Sequence, residues 1–372
     1  MAEFDMTEEL GLTNDKQFVC NCEGFLEANN STRDICDRYV SNGAKFYDVI
    51  SRYDYITSTI LNRTDSRSGS TTRFIVPFLR AFGVTDFGMH EHSKKVLRTV
   101  PEAKRVMGHL MNMMPTFVVS SSYEHNMMAI SESLGVPHGV ISCSEVELDS
   151  IDIGRKEAKT LREMARRITG IALSDYKYDL DVDGHLNNTD MVMLKEMDDI
   201  FKEGMKDPVY DNMVTNVKTM GANEKAYFLL DIRKRSVIDL DGTAFVGGDV
   251  TDMQVMNLVK DGNGLSMSFN GTECAVRGSN IAVMSRDCTV AAVIMQEFYN
   301  EGIEAVFSLV ENWDRKILEN RECPDPHIMK AMLEANPKKL PEVRIVNKDN
   351  VKEISDKSEE YRRKLILERK YT

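Results

Sequence analysis

Residues 18–26 read Phe-Val-Cys-Asn-Cys-Glu-Gly-Phe-Leu, a short apolar run that leads into two polar side chains and a glycine. An apolar run of this length predicts a buried strand. Asn21 and Glu23 stand two positions apart, so both side chains point to the same side of an extended strand end. Gly24 permits the sharp turn that would expose them above a sheet. The stretch therefore predicts a functional loop at the end of the first strand.

The composition is that of a globular protein with a full apolar core. At 372 residues, with 42% hydrophobic and 28% charged residues, the chain is long enough for a core domain and a second module. Its net charge of −12 argues against general nucleic-acid binding. No apolar run reaches the ~18 residues that span a bilayer, and the acidic N-terminus lacks an apolar signal segment. We therefore predict no membrane insertion and a cytoplasmic location.

Strand-like runs alternate with helical patterns along the chain, which predicts an α/β fold with a parallel, helix-covered sheet. Polar residues cluster where the strands end, and open α/β sheets bind ligands at the carboxyl ends of their strands. We divide the chain into core segments at 13–30, 115–154 and 221–311, helical insertions at 31–114 and 155–220, and a charged C-terminal tail at 312–372.

Four polar motifs occur in a fixed order. They are Asn21-Cys22-Glu23-Gly24, Ser120-Ser121-Ser122-Tyr123, Asn223-Glu224-Lys225 and Gly248-Asp249-Val250-Thr251-Asp252. Over about residues 17–310 this order resembles the haloacid dehalogenase (HAD) superfamily of phosphatases and phosphotransferases. It looks closest to an archaeal phosphatase-like branch with an Asp-x-Glu-Gly first motif, which includes proteins named as the R subunit of methanogen energy-converting hydrogenase A. The resemblance implies a Rossmann-like core with cap insertions.

The resemblance also implies roles for individual residues. In such enzymes the first aspartate attacks phosphorus and ligates Mg²⁺, and the acid two positions later acts as general acid and base. By position, Asn21 matches the nucleophile and Glu23 the acid/base. The implied phosphate-binding residues are Ser120, Ser121 and Lys225. The implied metal-binding residues are Asn21, Asp249 and Asp252.

Two positions depart from the pattern of the superfamily. Asn21 replaces the nucleophile, and an amide oxygen is too poor a nucleophile to form an acyl phosphate. Gly248 stands where Val-Gly-Asp-Ser-x-x-Asp enzymes place their first metal-binding aspartate, and Asp249 comes one residue later. Each change removes a negative charge from a cation site that needs anionic oxygens. We therefore predict a weakened magnesium site and no ordinary phosphatase turnover, with a small phosphorylated ligand still able to bind.

Three functions remain open at this point. A catalytically degenerate protein with a ligand-binding or regulatory role is favoured by the paired departures at Asn21 and Gly248. An active Mg²⁺-dependent phosphatase or phosphotransferase with a remodelled site is favoured by retention of Glu23, Ser120, Lys225 and Asp252. A subunit of a hydrogenase-like complex is suggested by the resemblance alone.

A second candidate site lies at 179–190, inside the second helical insertion. Its acidic spacing and central Gly184 fit a twelve-residue calcium loop, because alternating carboxylates converge when a glycine permits the central turn. The alternative is a solvated acidic turn between two helices. The candidate ligands are Asp179, Asp181, Asp183, His185 and Asp190.

The sequence Asp-Leu-Asp-Gly-Thr at 239–243 matches the usual first motif of the superfamily more literally than residues 21–25 do. Only Val237 and Ile238 precede it as apolar residues, which is too few for a buried strand. The other motifs do not follow it in order. We interpret it as a turn that leads into the next strand.

Overall fold

The computed structural model describes residues 15–181, 185–215, 217–321 and 325–370. Its strands form one seven-stranded sheet in the order β3-β2-β1-β4-β5-β6-β7, and all neighbours are parallel except β6 and β7. The predicted α/β fold, a Rossmann-like core with largely helical insertions, is confirmed. The strands are β1 (Gln17–Asn21), β2 (Thr116–Tyr123), β3 (Ile141–Ser144), β4 (Thr243–Gly247), β5 (Leu265–Phe269), β6 (Ile281–Met284) and β7 (Glu342–Ile345).

Helices cover the sheet and form the insertions. Between β1 and β2 lie α1 (Ser31–Tyr39), α2 (Gly43–Tyr55), α3 (Thr71–Ala81), α4 (Asp86–Val96) and α5 (Ala103–Met113). Between β2 and β4 lie α6 (Glu124–Leu134), α7 (Arg155–Gly170), α8 (Asn188–Asp198), α9 (Pro208–Thr215) and α10 (Ala222–Ser236). The later helices are α11 (Met253–Asp261), α12 (Glu273–Arg277), α13 (Thr289–Glu301), α14 (Ile303–Glu311), α15 (Arg315–Glu319), α16 (Pro326–Ala335) and α17 (Val351–Lys370). No described helix is both long and apolar enough to cross a lipid bilayer.

Apolar side chains pack against both faces of the sheet. Phe18 points to the face covered by α13, where it shares an apolar cluster with Ile294. Val19, one residue later, points to the opposite face and packs with Leu229 of α10. Each fully buried aliphatic or aromatic side chain of this kind contributes about 1.5–3 kcal/mol. Burial on both faces fixes the register of β1 and so the position of the residues that follow it.

The two helical insertions share an apolar cluster of their own. Phe46 of α2 and Phe78 of α3 meet edge to face with ring centroids 5.1 Å apart, and Met193 of α8 belongs to the same cluster. Helix α5 is different, because its Val106 packs under the sheet with Phe18. The insertion that we bounded at 31–114 therefore ends before α5, which belongs to the core.

The C-terminal segment is part of the sheet, which corrects the prediction of a charged tail at 312–372. Strand β7 pairs antiparallel with β6, with Val343 opposite Val283. Helix α17 then buries Ile354 in a small cluster with Val276 and Ala282. A four-residue edge strand and a helix with few apolar residues give a weak hydrophobic pattern. The high content of charged residues in this segment therefore led to the wrong prediction of an unpacked tail.

The sequence at 239–243 lies at the amino-terminal end of β4, away from the motifs. Leu240–Gly242 forms a 3₁₀ turn and Thr243 begins the strand, opposite Gln17 of β1. It is a connecting turn, as predicted.

Candidate functional site

Three of the predicted motifs meet at the carboxyl edge of the sheet. Asn21 ends β1, which lies between β2 and β4. Ser121 of β2 and Thr251, which follows β4, approach to 3.3 Å between hydroxyl oxygens. Gly24 adopts a positive φ of 88°, so the predicted glycine turn is present. Helix α10 adds the fourth motif, Lys225, to the same place.

An ion pair between Lys225 and Asp252 lies at the centre of the site. Lys225 Nζ is 2.7 Å from Asp252 Oδ1, and both side chains are fully buried. Because a buried charge without a partner is costly, each group depends on the other. Nζ also donates to Thr251 Oγ1 at 3.0 Å. The predicted cation and the predicted distal acid therefore neutralise each other directly.

The second carboxylate oxygen of Asp252 is occupied as well. Oδ2 accepts hydrogen bonds from the backbone N–H of Gly248 at 2.8 Å and of Asp249 at 3.0 Å, and from Asn21 Nδ2 at 3.1 Å. With Lys225 on Oδ1, the carboxylate accepts from four donors, about as many as it has lone-pair sites. Both carboxylate oxygens of Asp252 are thus engaged by donors of the protein itself.

Asn21 fits this network as an amide. Its Nδ2 donates to Asp252 Oδ2 and, at 3.3 Å, to the carbonyl oxygen of Glu23. Its Oδ1 accepts from Lys225 Nζ at 3.5 Å. An amide donates and accepts at once, whereas an ionised carboxylate only accepts. An aspartate at this position would face Asp252 with like charge, so the surroundings are matched to asparagine.

The predicted magnesium ligands do not fit a hard divalent cation. Mg²⁺ demands near-octahedral oxygen ligands at about 2.0–2.1 Å. Asn21 turns its NH₂ group toward Asp252, while Asp249 Oδ1 accepts from the N–H of Val250 at 2.8 Å and Oδ2 lies 3.6 Å from Arg362. Among the described residues, no group of three or more His, Cys, Asp or Glu is arranged to hold a metal ion. The side chains that resemble metal ligands are engaged with protein donors instead.

A cavity of about 90 Å³ lies between the sheet edge and the helical insertions. From the sheet side it is lined by Asn21, Glu23 and Asp249, and from α2 it is lined by Asp54. A water molecule needs only about 10–15 Å³ measured in this way, so the cavity admits several waters or a small ligand. Residues from the ends of β1 and β4 and from α2 face one another across this space.

The hydroxyl group nearest the cavity differs from the predicted one. Ser120 is buried, and its Oγ accepts a hydrogen bond from the N–H of Ser122 at 3.1 Å. Ser121 and Ser122 line the cavity instead. The pairing of β2 with β3 shifts register between Val119 and Tyr123, which breaks the regular alternation of side chains. Of the two predicted serines, Ser121 lines the cavity and Ser120 does not, and a phosphate-binding role for either stays a prediction.

Glu23 keeps the position of the acid/base residue at the cavity wall. Its Oε1 accepts from Asn30 Nδ2 at 2.6 Å, and Asn30 also caps α1 by accepting from the N–H of Arg33. Burial, followed by the charge of Asp249, raises the pKa of Glu23 to about 7. The charge of Arg362 acts in the opposite direction. A carboxyl group that titrates near neutral pH is suited to proton transfer.

Glu23→Gln is expected to stabilise the fold at alkaline pH. The pKa of Glu23 is raised from 4.5 to about 7 in the folded protein, so its contribution is lost as the pH rises through that window. Glutamine keeps an acceptor for Asn30 and carries no charge. At roughly pH 8 we expect the variant to be about 1–2 kcal/mol more stable than wild type, with no difference near roughly pH 4. Urea unfolding at both pH values measures this, and parallel pH profiles of the two proteins would contradict it.

Glu27 is a buried carboxyl group that the sequence analysis missed. Its side chain is fully buried, and Oε2 accepts from Asn126 Nδ2 at 2.8 Å. Burial, followed by the charge of Glu23, raises the pKa of Glu27 well above its ordinary value. Within the described residues, Glu27 Oε1 and Asn126 Oδ1 have no hydrogen-bond partner. In the protonated form Oε1 carries a hydrogen and can act as a donor. The apolar pair Phe25-Leu26 just before Glu27 gave no sign in the sequence that Glu27 is buried at the site.

Asp54 and Arg362 also reach the site from outside the predicted motifs. Asp54 lines the cavity, and Arg362 of α17 donates from Nη1 to the carbonyl oxygen of Gly248 at 2.7 Å. An acidic residue directly after Tyr53, on the buried side of α2, is a signal that could have identified Asp54. Arg362 lies in the segment taken for a tail, so no pattern connected it with Gly248.

The predicted calcium loop is not supported, because its described carboxylates bind cations of the protein itself. Asp190 accepts from Arg52 at 2.7 Å, Asp181 from Arg277 at 2.7 Å and Asp179 from Lys352 at 3.0 Å. Such pairing leaves these groups little capacity for Ca²⁺, which requires six to eight oxygen ligands. Asp183 lies outside the described residues, and His185 is exposed.

The fold of this chain is similar to that of an archaeal protein of known structure. No protein-family model and no curated protein matches the sequence. Among solved structures, the chain is similar to the gene product AF1437 from Archaeoglobus fulgidus, with a TM-score of 0.76 and 21% identity over 95% of this chain and 97% of that chain. At this identity the likeness shows a shared fold.

Partial likenesses to phosphatases are weaker. A substrate-bound phosphoserine phosphatase matches with a TM-score of 0.45 and 14% identity over 73% of this chain and 94% of that chain. A probable phosphoserine phosphatase from Vibrio cholerae matches with a TM-score of 0.42 and 11% identity over 81% and 68%. We draw no function from these scores. None of the three proteins is described as a hydrogenase subunit, and that resemblance remains a prediction.

Proposed function

We propose that this chain is a phosphatase-like protein of HAD type that has lost phosphoryl transfer and uses the remaining site to bind a small ligand. The observation that carries the proposal is the closed network of Lys225, Asp252 and Asn21. Where the resemblance puts a nucleophile and a metal site, the chain has an internal ion pair at 2.7 Å and an amide hydrogen-bonded to it.

The chemistry of this network opposes the usual reaction at two steps. Covalent phosphoryl transfer needs an anionic oxygen at the end of β1, and the amide of Asn21 does not supply one. It also needs a cation beside the transferring phosphoryl group to stabilise its negative charge. The ammonium of Lys225 is already paired with Asp252. The cavity, by contrast, remains open to a ligand. Binding without turnover is the function that this arrangement favours.

The proposal extends to a regulatory role or to membership in a larger complex. The resemblance to a hydrogenase-associated branch motivates the second of these, and the described residues add nothing to it. A binding protein that senses a small molecule would use the same cavity in either case.

One observation favours an alternative function, residual hydrolysis by a remodelled site. Glu23 keeps its place at the cavity wall, and its pKa of about 7 suits a general base that activates water. Direct attack of water on a phosphoester would then bypass Asn21. None of the described residues that line the cavity carries a cation to stabilise the developing charge, so we favour binding.

A phosphatase assay separates the two functions. We expect wild-type protein to release no phosphate above background from p-nitrophenyl phosphate or a panel of sugar phosphates and nucleotides, with or without Mg²⁺. Mass spectrometry of the intact protein should show no added phosphoryl group. Metal-dependent turnover that disappears in Glu23→Gln would instead establish the alternative. Glu360→Gln, on the exposed side of α17, is the matched control and should behave as wild type.

A further inference from the structure

Two buried polar side chains that contact each other each keep one unpaired oxygen. Glu27 and Asn126 are both fully buried, and Glu27 Oε2 accepts a hydrogen bond from Asn126 Nδ2 at 2.8 Å. Glu27 Oε1 and Asn126 Oδ1 have no hydrogen-bond partner among the described residues. Buried polar atoms are almost always paired, because leaving one unpaired costs free energy. The two side chains therefore lack one donor.

A single proton on Glu27 supplies that donor. An ionised carboxylate only accepts, so Glu27 Oε1 and Asn126 Oδ1 would then be two acceptors, whereas a protonated carboxyl group has an O–H to donate. A carboxylic acid and a primary amide can form two hydrogen bonds at once, one from the amide N–H and one from the acid O–H. The first of these bonds is present, and the atoms that the second would join are the two that stay unpaired.

The surroundings of Glu27 oppose a charge on its carboxyl group. Burial, followed by the charge of Glu23, raises the pKa of Glu27 well above its ordinary value, and the charge of Asp34 on α1 acts in the same direction. The hydrogen bond from Asn126 acts against them. The other titratable or charged side chains on the neighbouring segments are Cys22 in the same loop, His92 on α4, the exposed Arg98 before α5, and His125 on α6.

The main chain of Glu27 closes the loop that carries Glu23. Its N–H donates to the carbonyl oxygen of Cys22 at 3.0 Å, and its own carbonyl oxygen accepts from the N–H of Gly24 at 2.8 Å. The side chain of Glu27 adds a bond to Asn126 of α6, which belongs to the core. The contact between Glu27 and Asn126 thus ties the loop to a helix that lies outside it.

We infer that Glu27 is a neutral carboxylic acid that forms two hydrogen bonds with the amide of Asn126, and that this pair positions the loop that carries Glu23. The O–H of Glu27 donates to Asn126 Oδ1, and the N–H of Asn126 donates to Glu27 Oε2. Glu27 is a positioning residue in this arrangement, because it does not line the cavity. The inference is independent of the proposed function, since ligand binding and residual hydrolysis both need Glu23 in place.

Glu27→Gln tests the proton, because glutamine keeps both hydrogen bonds and cannot ionise. The unfolded wild-type chain releases the proton of Glu27 and the folded chain keeps it. Each pH unit above the ordinary pKa of glutamate should therefore raise the unfolding constant of wild type about tenfold relative to that of the variant, until folded Glu27 itself ionises. Glu23 contributes equally to both proteins, since neither has a charge at position 27. Glu301→Gln, at the exposed end of α13, should show no such trend.

Infrared difference spectroscopy detects the proton directly. Wild type minus Glu27→Gln at neutral pH should show the carbonyl stretch of a protonated carboxyl group, and the same difference with Glu301→Gln should show only carboxylate bands. An unfolding ratio that does not rise with pH, or a difference spectrum without the protonated band, would overturn the inference. So would a Glu27→Gln protein that fails to fold by circular dichroism, because an amide at this position keeps both bonds.

Exchanging the acid and the amide tests the pairing. Asn126→Asp places a second acid opposite Glu27 and removes the donating N–H, so the unfolding constant at neutral pH should rise about tenfold or more. Hydrogen exchange at 22–28 should become faster in this variant and stay as in wild type in Glu27→Gln. Adding Glu27→Gln to Asn126→Asp restores one acid and one amide and should recover most of the loss. A double variant less stable than Asn126→Asp, or unchanged exchange at 22–28 in Asn126→Asp, would show that the pair does not position the loop.

Discussion

Lys225→Met is expected to lower the free energy of unfolding by about 3–5 kcal/mol, because it leaves the fully buried Asp252 without its counter-ion. Methionine has a similar length and fills the space of the lysine stem, so the loss reports on charge more than on packing. The three donors on Asp252 Oδ2 hold that carboxylate in place, facing the position that the ammonium leaves. Urea unfolding followed by circular dichroism measures the change.

Two further variants separate the ion pair from the general effect of mutating α10. Lys234→Met removes an exposed lysine on the same helix and should change stability by less than about 0.5 kcal/mol. Adding Asp252→Asn to Lys225→Met removes the orphaned charge and should recover part of the loss. A single variant as stable as wild type, or a double variant less stable than the single, would show that the pair does not hold the site together.

Local sequence patterns predict those parts of the site whose position depends on neighbouring residues. The apolar run before Asn21 and the polar motifs after the strands predict which side chains meet, because the carboxyl ends of parallel strands share one edge of a sheet. Lys225 and Asp252, 27 residues apart, were assigned to the same pocket and lie in contact. The glycine turn at Gly24 was also correct.

They fail where position depends on packing between distant segments. The register shift in β2 decides which serine faces the cavity, and no feature of the run Ser120-Ser121-Ser122 encodes it. The same is true of Arg362, which reaches Gly248 across 114 positions because β7 and α17 pack on the sheet. The acidic spacing at 179–190 predicted a calcium loop that the structure does not support. Its described carboxylates pair instead with Arg52, Arg277 and Lys352, which come from other segments of the chain.

In the proposed function, the departures at Asn21 and Gly248 act together. Loss of negative charge at the strand end removes the need for a divalent cation between Asn21 and Asp252. Lys225 and the backbone N–H groups of the β4 loop then neutralise Asp252 directly. Glu23 and Asp249, left at the cavity wall, give that space its acidic character.

Asn21→Asp is expected to destabilise the protein in the absence of metal and to make its stability depend on Mg²⁺. The new carboxylate would lie about where Nδ2 now sits, 3.1 Å from Asp252 Oδ2, and the two acids would share the ammonium of Lys225. Like charges at this distance cannot both ionise without cost, so we expect a loss of about 3 kcal/mol at neutral pH without metal. Mg²⁺ supplies the missing charge and should recover about 2–3 kcal/mol near a hundredfold excess over its dissociation constant.

Wild type is the reference for this experiment, because its closed network predicts no stabilisation by Mg²⁺. Asn212→Asp, at an exposed position on α9, controls for net charge and should show no Mg²⁺ dependence. Urea unfolding with and without Mg²⁺ compares the three proteins. Turnover in Asn21→Asp should stay partial, since Gly248 still leaves the metal shell one carboxylate short. Equal stabilisation of wild type and variant by Mg²⁺ would mean that the native site already binds the metal, and the account of Lys225 as its replacement would be wrong.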